Sequence, residues 1–291
     1  MKAKFLSLFD YVILICGLTL VTLGVLFIYS SSINSEGISV TNEYIKQIIW
    51  ACVGLILMIL ISLYDYRRTE RISYWTYLVM ILVLVYTRIF GRYVNGARSW
   101  IGIGEFGIQP SEFAKVFFIL ALAKYLDANK NEQPLTQFAV STLIMGLPMG
   151  LILIQPDMGT ASVYIPIFLI MCFMADIPLR YILFLLFFGL GSIFFAILPV
   201  WNEYIATKSI AAISILTTKK LRVVLISATT SITLISAVVR RYLHGKKYFY
   251  WISYTSLIVT LSLIFSNLLT KFLKGYQIMR LIIFMNPEVD P

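Results

Sequence analysis

The stretch "FGRYVNGARSWIGIGEFGIQPSEFAKVFF", residues 90–118, carries Arg92, Arg98 and Glu105, one Trp and five Gly, and after Pro110 a Ser-Glu-x-x-Lys sequence as the chain turns apolar again. On both sides lie apolar runs of about 17 to 23 residues, the length that roughly 30 Å of hydrocarbon requires of a helix. The runs are apolar all round, without the stripe of a soluble amphipathic helix. Their length selects transmembrane helices over barrel strands, because a membrane-spanning segment must satisfy its own backbone hydrogen bonds. The polar stretch is then a loop between spans, and the fold class is all-α: a polytopic transmembrane helix bundle.

Composition agrees. Of 291 residues, 59% are hydrophobic and 13% charged, far from the half-apolar, quarter-charged make-up of a soluble domain. The net charge of +10 comes from short Lys and Arg clusters between apolar runs. This is the pattern of positive-inside topology, and no nucleic-acid partner is expected. Cys16, Cys52 and Cys172 fall inside apolar runs, where Cys is a small buried hydrophobe, so neither a disulfide nor a metal site is expected. His244, in "RRYLHGKK", reads as a solvated or headgroup-facing residue. The first run, from Asp10 to Ser30, has no small-residue cleavage pattern behind it and reads as a retained helix.

Nine helices are expected, at 10–31, 46–64, 73–89, 112–127, 138–155, 161–177, 181–200, 222–239 and 248–269. Lys2 and Lys4, "DYRRTER" (65–71), "KYLDANKNEQ" (124–133) and "RRYLHGKK" (240–247) fall on one side if the N-terminus is cytoplasmic. The 90–111 loop and "QPDMGT" (155–160) then share the outer side. Lys219, Lys220 and Arg222 are the discord, lying outside in this scheme. No loop is long enough for an independent core, so residues 1–291 read as a single membrane domain.

Ionisable groups inside helices are expensive in lipid and mark candidate sites. Glu112 and Lys115, at i and i+3, share a helical face with Ser111. Pro110 suits the first helical position and Glu112 the positive helix end, so plain helix-start chemistry explains much of this group. Asp157 follows Pro156 where the fifth run breaks. A Lys115–Asp157 pair across facing helices is expected, with a purely structural salt bridge as the competing reading. Arg92 and Arg98 suit phosphate oxygens. Trp100 suits either a sugar face or a headgroup anchor.

Together, "VNGARSWIGIGEFGIQPSEFAK" (94–115), "QPDMGTA" (155–161) and "GYQIMRLIIFMNPEVDP" (275–291) resemble the SEDS family (shape, elongation, division and sporulation), the third block being nearer the rod-shape RodA branch than the division FtsW branch. The resemblance implies a peptidoglycan glycosyltransferase in the bacterial cytoplasmic (inner) membrane, acting in cell elongation and shape maintenance. Such enzymes polymerise lipid II, an undecaprenyl-diphosphate-linked substrate, beside a class B penicillin-binding protein. A substrate cavity lined by Arg92, Arg98, Trp100, Glu112, Lys115, Gln155, Asp157, Tyr276, Gln277 and Arg280 is implied, with cationic groups or a divalent ion (Mg or Mn) to stabilise the departing diphosphate. The family's catalytic Asp is implied to lie beyond Pro291, so no residue here is assigned as the base. The family bundle is accordingly expected to be incomplete at the C-terminus and this chain inactive alone. Residues 201–270 are expected to hold an inserted helical hairpin. Two other readings stand beside the enzyme: a lipid II flippase, and a non-catalytic scaffold for the penicillin-binding protein.

Overall fold

The computed structural model describes residues 11–33, 41–94, 96–103, 106–204, 218–242 and 247–272. Among them are nine helices: α1 (Tyr11–Ser31), α2 (Glu43–Ser62), α3 (Tyr66–Phe90), α4 (Pro110–Ala128), α5 (Pro134–Ile154), α6 (Met158–Met174), α7 (Leu179–Tyr204), α8 (Lys219–Tyr242) and α9 (Lys247–Phe272). Three short strands, β1 (Arg92–Val94), β2 (Ala97–Ile103) and β3 (Phe106–Ile108), lie between α3 and α4. Seven helices are long and apolar enough to cross a membrane: α1, α2, α3, α5, α7, α8 and α9. Helix α6 is a shorter apolar helix, and α4 is diluted by Glu112, Lys115, Lys124 and Asp127. Lys2, Lys4, His244, Tyr276, Gln277 and Arg280 lie outside the described residues.

The chain divides into two compact units, 1–72 and 73–291. In the first, α1 and α2 have no buried residue. The Tyr29 and Tyr44 rings, 5.1 Å apart and edge to face, join the end of α1 to the start of α2. An apolar groove of about 340 Å³ between these helices, floored by Gly17, Ala51 and Gly54, holds none of the candidate residues.

The core of the second unit lies among α3 to α6. Leu84, Phe118, Leu122, Ile152, Tyr164, Phe168 and Cys172 are fully buried, and Phe118 meets Tyr164 at 5.1 Å between ring centroids. Helix α6 ends in a left-handed Asp176 (φ 57°). The N–H groups of Asp176 and Ile177 donate back to the carbonyls of Phe173 and Cys172, a Schellman closure whose trailing Ile177 enters the core.

The segment 90–111, expected as a loop, is instead an antiparallel meander, β1-β2-β3. Val94 pairs with Ala97 and Ile103 with Phe106, so two residues separate the paired ends of each hairpin. Gly96 takes φ 86°, and Asn95-Gly96 is the dipeptide that favours such a turn.

Helices α7, α8 and α9 pack by small and hydroxyl-bearing residues. Ser262 on α9 donates to the Phe188 carbonyl of α7 at 3.1 Å, and Tyr254 to that of Arg180 at 2.6 Å. Between α8 and α9, Arg222 Nη2 donates to Ser266 Oγ at 2.6 Å and to the Leu263 carbonyl at 3.3 Å, while Thr233 and Ser256 share a 2.9 Å hydrogen bond. The outer face of α8 is apolar, with Val223, Val224, Leu234 and Ile235 all more than 60% exposed. Polar inside and apolar outside is the packing a helix pair adopts in lipid, where interhelical hydrogen bonds and close backbone approach replace the hydrophobic effect.

A Cβ at Gly191 would stand 2.8 Å from Ser262 Oγ, whereas one at Gly189 would meet nothing within 4 Å. Gly191→Val is therefore expected to destabilise the detergent-solubilised protein by about 1–3 kcal/mol and Gly189→Val by distinctly less, as read by thermal unfolding.

Candidate functional site

Two helix starts build the polar cluster. Pro110 opens α4 and places Glu112 in its first turn. Its N-cap, Gln109, makes no capping bond to its own helix. The amide instead crosses to α6, donating from Nε2 to Asp157 Oδ2 at 2.6 Å. Asp157 is the N-cap of α6. Its Oδ1 accepts the Thr160 backbone N–H at 3.1 Å and its Oδ2 the Thr160 hydroxyl at 2.9 Å. Thr160 Oγ1 also lies 3.4 Å from Glu112 Oε1. Lys115 Nζ meets Glu112 Oε2 at 2.8 Å, with side-chain exposures of 19% and 51%.

Lys115, Glu112, Thr160, Asp157 and Gln109 thus form one polar cluster across the two helices. Both carboxylates sit at helix N-termini, where the macrodipole favours negative charge. The hydroxyl carries a single proton, and the shorter distance assigns it to Asp157. Glu112 Oε1 is left with unused acceptor capacity on a half-exposed side chain, the open position in the cluster for an outside hydroxyl.

The expected Lys115–Asp157 pair does not form. Glu112 stands one turn away from Lys115 on the same helix, while Asp157 spends both oxygens capping α6 and receiving Gln109. Gln155 is fully buried. It donates from Nε2 to the Leu84 carbonyl at 2.9 Å, joining α5 to α3, and its Oε1 has no partner among the described residues. Arg98 is exposed and donates from Nη1 to the Ile89 carbonyl at 3.2 Å, in the last turn of α3 where carbonyls lack helical partners. Arg92 is exposed on β1 and opposes Trp100 in register. Trp100 is half-buried, its ring so close to β3 that a Cβ at Gly107 would stand 3.0 Å away.

These groups do not fit a divalent cation. Asp157 is taken by N–H and O–H donors and Glu112 Oε2 by an ammonium, and among the described residues no three His, Cys, Asp or Glu side chains converge.

Sequence reasoning missed Gln109 and Thr160. An Asp followed three residues later by Thr, after a helix break, is an N-cap signature that points to Thr160. Nothing local marks Gln109, whose partner lies 48 residues away.

Comparison with known proteins converges. A family model described as cell cycle protein, FtsW/RodA/SpoVE, matches residues 10–220. Peptidoglycan glycosyltransferase RodA of Treponema pallidum (strain Nichols) is 49% identical over 294 residues, covering 100% of this chain and 67% of the relative. The chain spans about half the length of more distant relatives named Stage V sporulation protein E and FtsW. Among solved structures, Thermus thermophilus RodA is similar with a TM-score of 0.54 at 24% identity, covering 91% of this chain and 96% of that one. A chain from a peptidoglycan synthase complex that coordinates polymerization and crosslinking gives 0.53 at 20% identity, covering 91% and 98%. Those two likenesses speak for the fold. Helices α8 and α9 lie almost wholly beyond the family match, yet the Treponema relative aligns along the entire chain.

Thr160→Val is expected to destabilise the protein by about 1.5–3 kcal/mol, the cost of removing a hydrogen bond to a charged group, while Thr160→Ser retains the bond to Asp157. Thermal unfolding of the two variants side by side checks this.

Proposed function

Because the chain belongs to the FtsW/RodA/SpoVE family, and within it most resembles the RodA members, we propose that it is part of a peptidoglycan glycosyltransferase that polymerises lipid II during shape maintenance. The observation that carries this reading is the cluster of Lys115, Glu112, Thr160, Asp157 and Gln109, charged and hydroxyl-accepting where an apolar bundle has every reason to have no such group. It rests on the residues of the two blocks through which the sequence resembles the family.

In this reading the acceptor sugar's 4-hydroxyl attacks the anomeric carbon of the growing chain. A glycosidic C–O bond forms, the bond to the diphosphate breaks, and undecaprenyl diphosphate leaves. Glu112 and Lys115 bind the polar end of the substrate beneath the meander. Arg92 and Arg98 meet the diphosphate oxygens, for which guanidinium geometry is suited. Asp157 is a positioning carboxylate, its two oxygens holding Thr160 and Gln109. None of the described residues is assigned as the proton acceptor. In this reading the N-terminus is cytoplasmic and the meander lies on the outer face of the bacterial cytoplasmic membrane, a topology supported by the Lys and Arg clusters between the spans. A class B penicillin-binding protein is the proposed partner, supported by the likeness to a chain of a peptidoglycan synthase complex.

In the full-length protein, Asp157→Asn is expected to abolish lipid II polymerisation while the protein still accumulates in the membrane, because an amide NH₂ would confront the Gln109 and Thr160 donors. Full activity would remove Asp157 from the site. Trp100→Ala is expected to lower polymerisation more than accumulation, whereas equal losses would make Trp100 an anchor. Movement of lipid II across liposomes without chain growth would favour the transporter reading.

A further inference from the structure

At the end of α7–α9 away from the Arg222–Ser266 contact, basic and aromatic side chains form a continuous row. Arg180, at the start of α7, lies 4.8 Å over the Tyr181 ring and donates to its hydroxyl at 3.1 Å. The Arg180 carbonyl accepts from Tyr254 of α9. The Tyr254 ring stacks on Tyr250 at 6.0 Å, and the Arg240 guanidinium of α8 stands 4.8 Å over Tyr250. Arg241 and Lys247 extend the positive charge, both exposed. Among the described residues none of these four cations has an ion pair, and α8 and α9 contain no Asp or Glu at all.

Helix electrostatics accounts for half of this charge. Arg240 and Arg241 close α8, where cations stabilise the negative end of the macrodipole. Arg180 and Lys247 open α7 and α9, where the same dipole disfavours a cation. Positive charge placed against the helix field, with Asp176 four residues before Arg180 but no ion pair to any of these cations among the described residues, calls for an anion from outside the chain.

The surroundings say which kind. Tyr248 and Trp251 on α9 are 51% and 54% exposed, the amphipathic rings that settle at headgroup depth. One turn and more from Arg241, Ile235 and Val238 are 62% and 53% exposed on the outer face of α8, an apolar wall along which an acyl chain can lie. An acidic protein segment would use the cations but not this wall.

We infer that the row Arg180, Tyr254, Tyr250 and Arg240 is a binding site for the phosphate headgroup of an anionic phospholipid, with its chains against the outer face of α8. By the positive-inside rule the site belongs to the cytoplasmic leaflet, opposite the face proposed for polymerisation, so it stands independently of that reading. It also gives the α8–α9 hairpin, which lies almost wholly beyond the family match, a function of its own.

The test is native mass spectrometry of the full-length protein released from nanodiscs of mixed phosphatidylglycerol and phosphatidylcholine, reading which lipid stays bound. Wild type is expected to retain phosphatidylglycerol preferentially. Arg180→Gln with Arg240→Gln is expected to cut that preference at least about tenfold, the scale of two interfacial cations. Arg180→Lys with Arg240→Lys, which keeps the charge, is expected to preserve it. Arg67→Gln with Arg68→Gln, an equal change in net charge on the side the sequence assigns to the same leaflet, is expected to leave it intact. No preference in wild type, or equal losses in the two glutamine pairs, would overturn the site in favour of diffuse positive charge. Displacement of the lipid by inorganic phosphate would overturn it in favour of a free-anion site.

Discussion

Inside hydrocarbon, a polar group that finds no partner in the protein finds none at all, and this constraint governs the molecule. The backbone meets it by winding into helices. Thr19 and Thr22 meet it locally, each returning its hydroxyl to the carbonyl four residues earlier, and Thr87 and Thr230 do the same. Strands appear among the described residues only in the connection between α3 and α4. They are short and paired into one meander, in a polar segment that no membrane-length run requires to cross.

The same constraint makes the α4–α6 cluster informative. Helix-start chemistry explains Pro110, Glu112 and the capping by Asp157 without any appeal to function. It does not explain why Gln109 leaves its own helix to reach Asp157, or why Lys115 is carried one turn further into an apolar segment with Glu112 as its salt-bridge partner. Coupling two helix N-termini through side chains holds both carboxylates in register with each other, a degree of preorganisation that a charged sugar diphosphate would exploit.

Helices α8 and α9 follow the constraint differently. Their shared seam carries Arg222, Thr233, Ser256 and Ser266, and their outer surface is apolar, so the hairpin is complete as a membrane element and joins α7 through Gly191 and Ser262. Its charge collects at the ends. One end spends Arg222 on the seam itself. The other leaves Arg180, Arg240, Arg241 and Lys247 facing outward among aromatic rings.

Fold class and the approximate span of the nine helices among the described residues were legible in the sequence, because hydrocarbon thickness sets run length and each run declares itself without reference to its neighbours. Glu112, Lys115 and Asp157 were legible as candidates for the same reason: a charge in an apolar segment is conspicuous in one dimension. The meander was missed, although Asn95-Gly96 announced its first turn, because membrane-length runs dominated the reading. Partner choice was decided only by the tertiary structure. That Lys115 takes Glu112 and not Asp157, that Gln155 is buried against Leu84, and that Gln109 and Thr160 complete the cluster all depend on which atoms two or three helices bring within about 3 Å. Run length and residue type fix where a polar group must be satisfied, and helix packing alone decides by what.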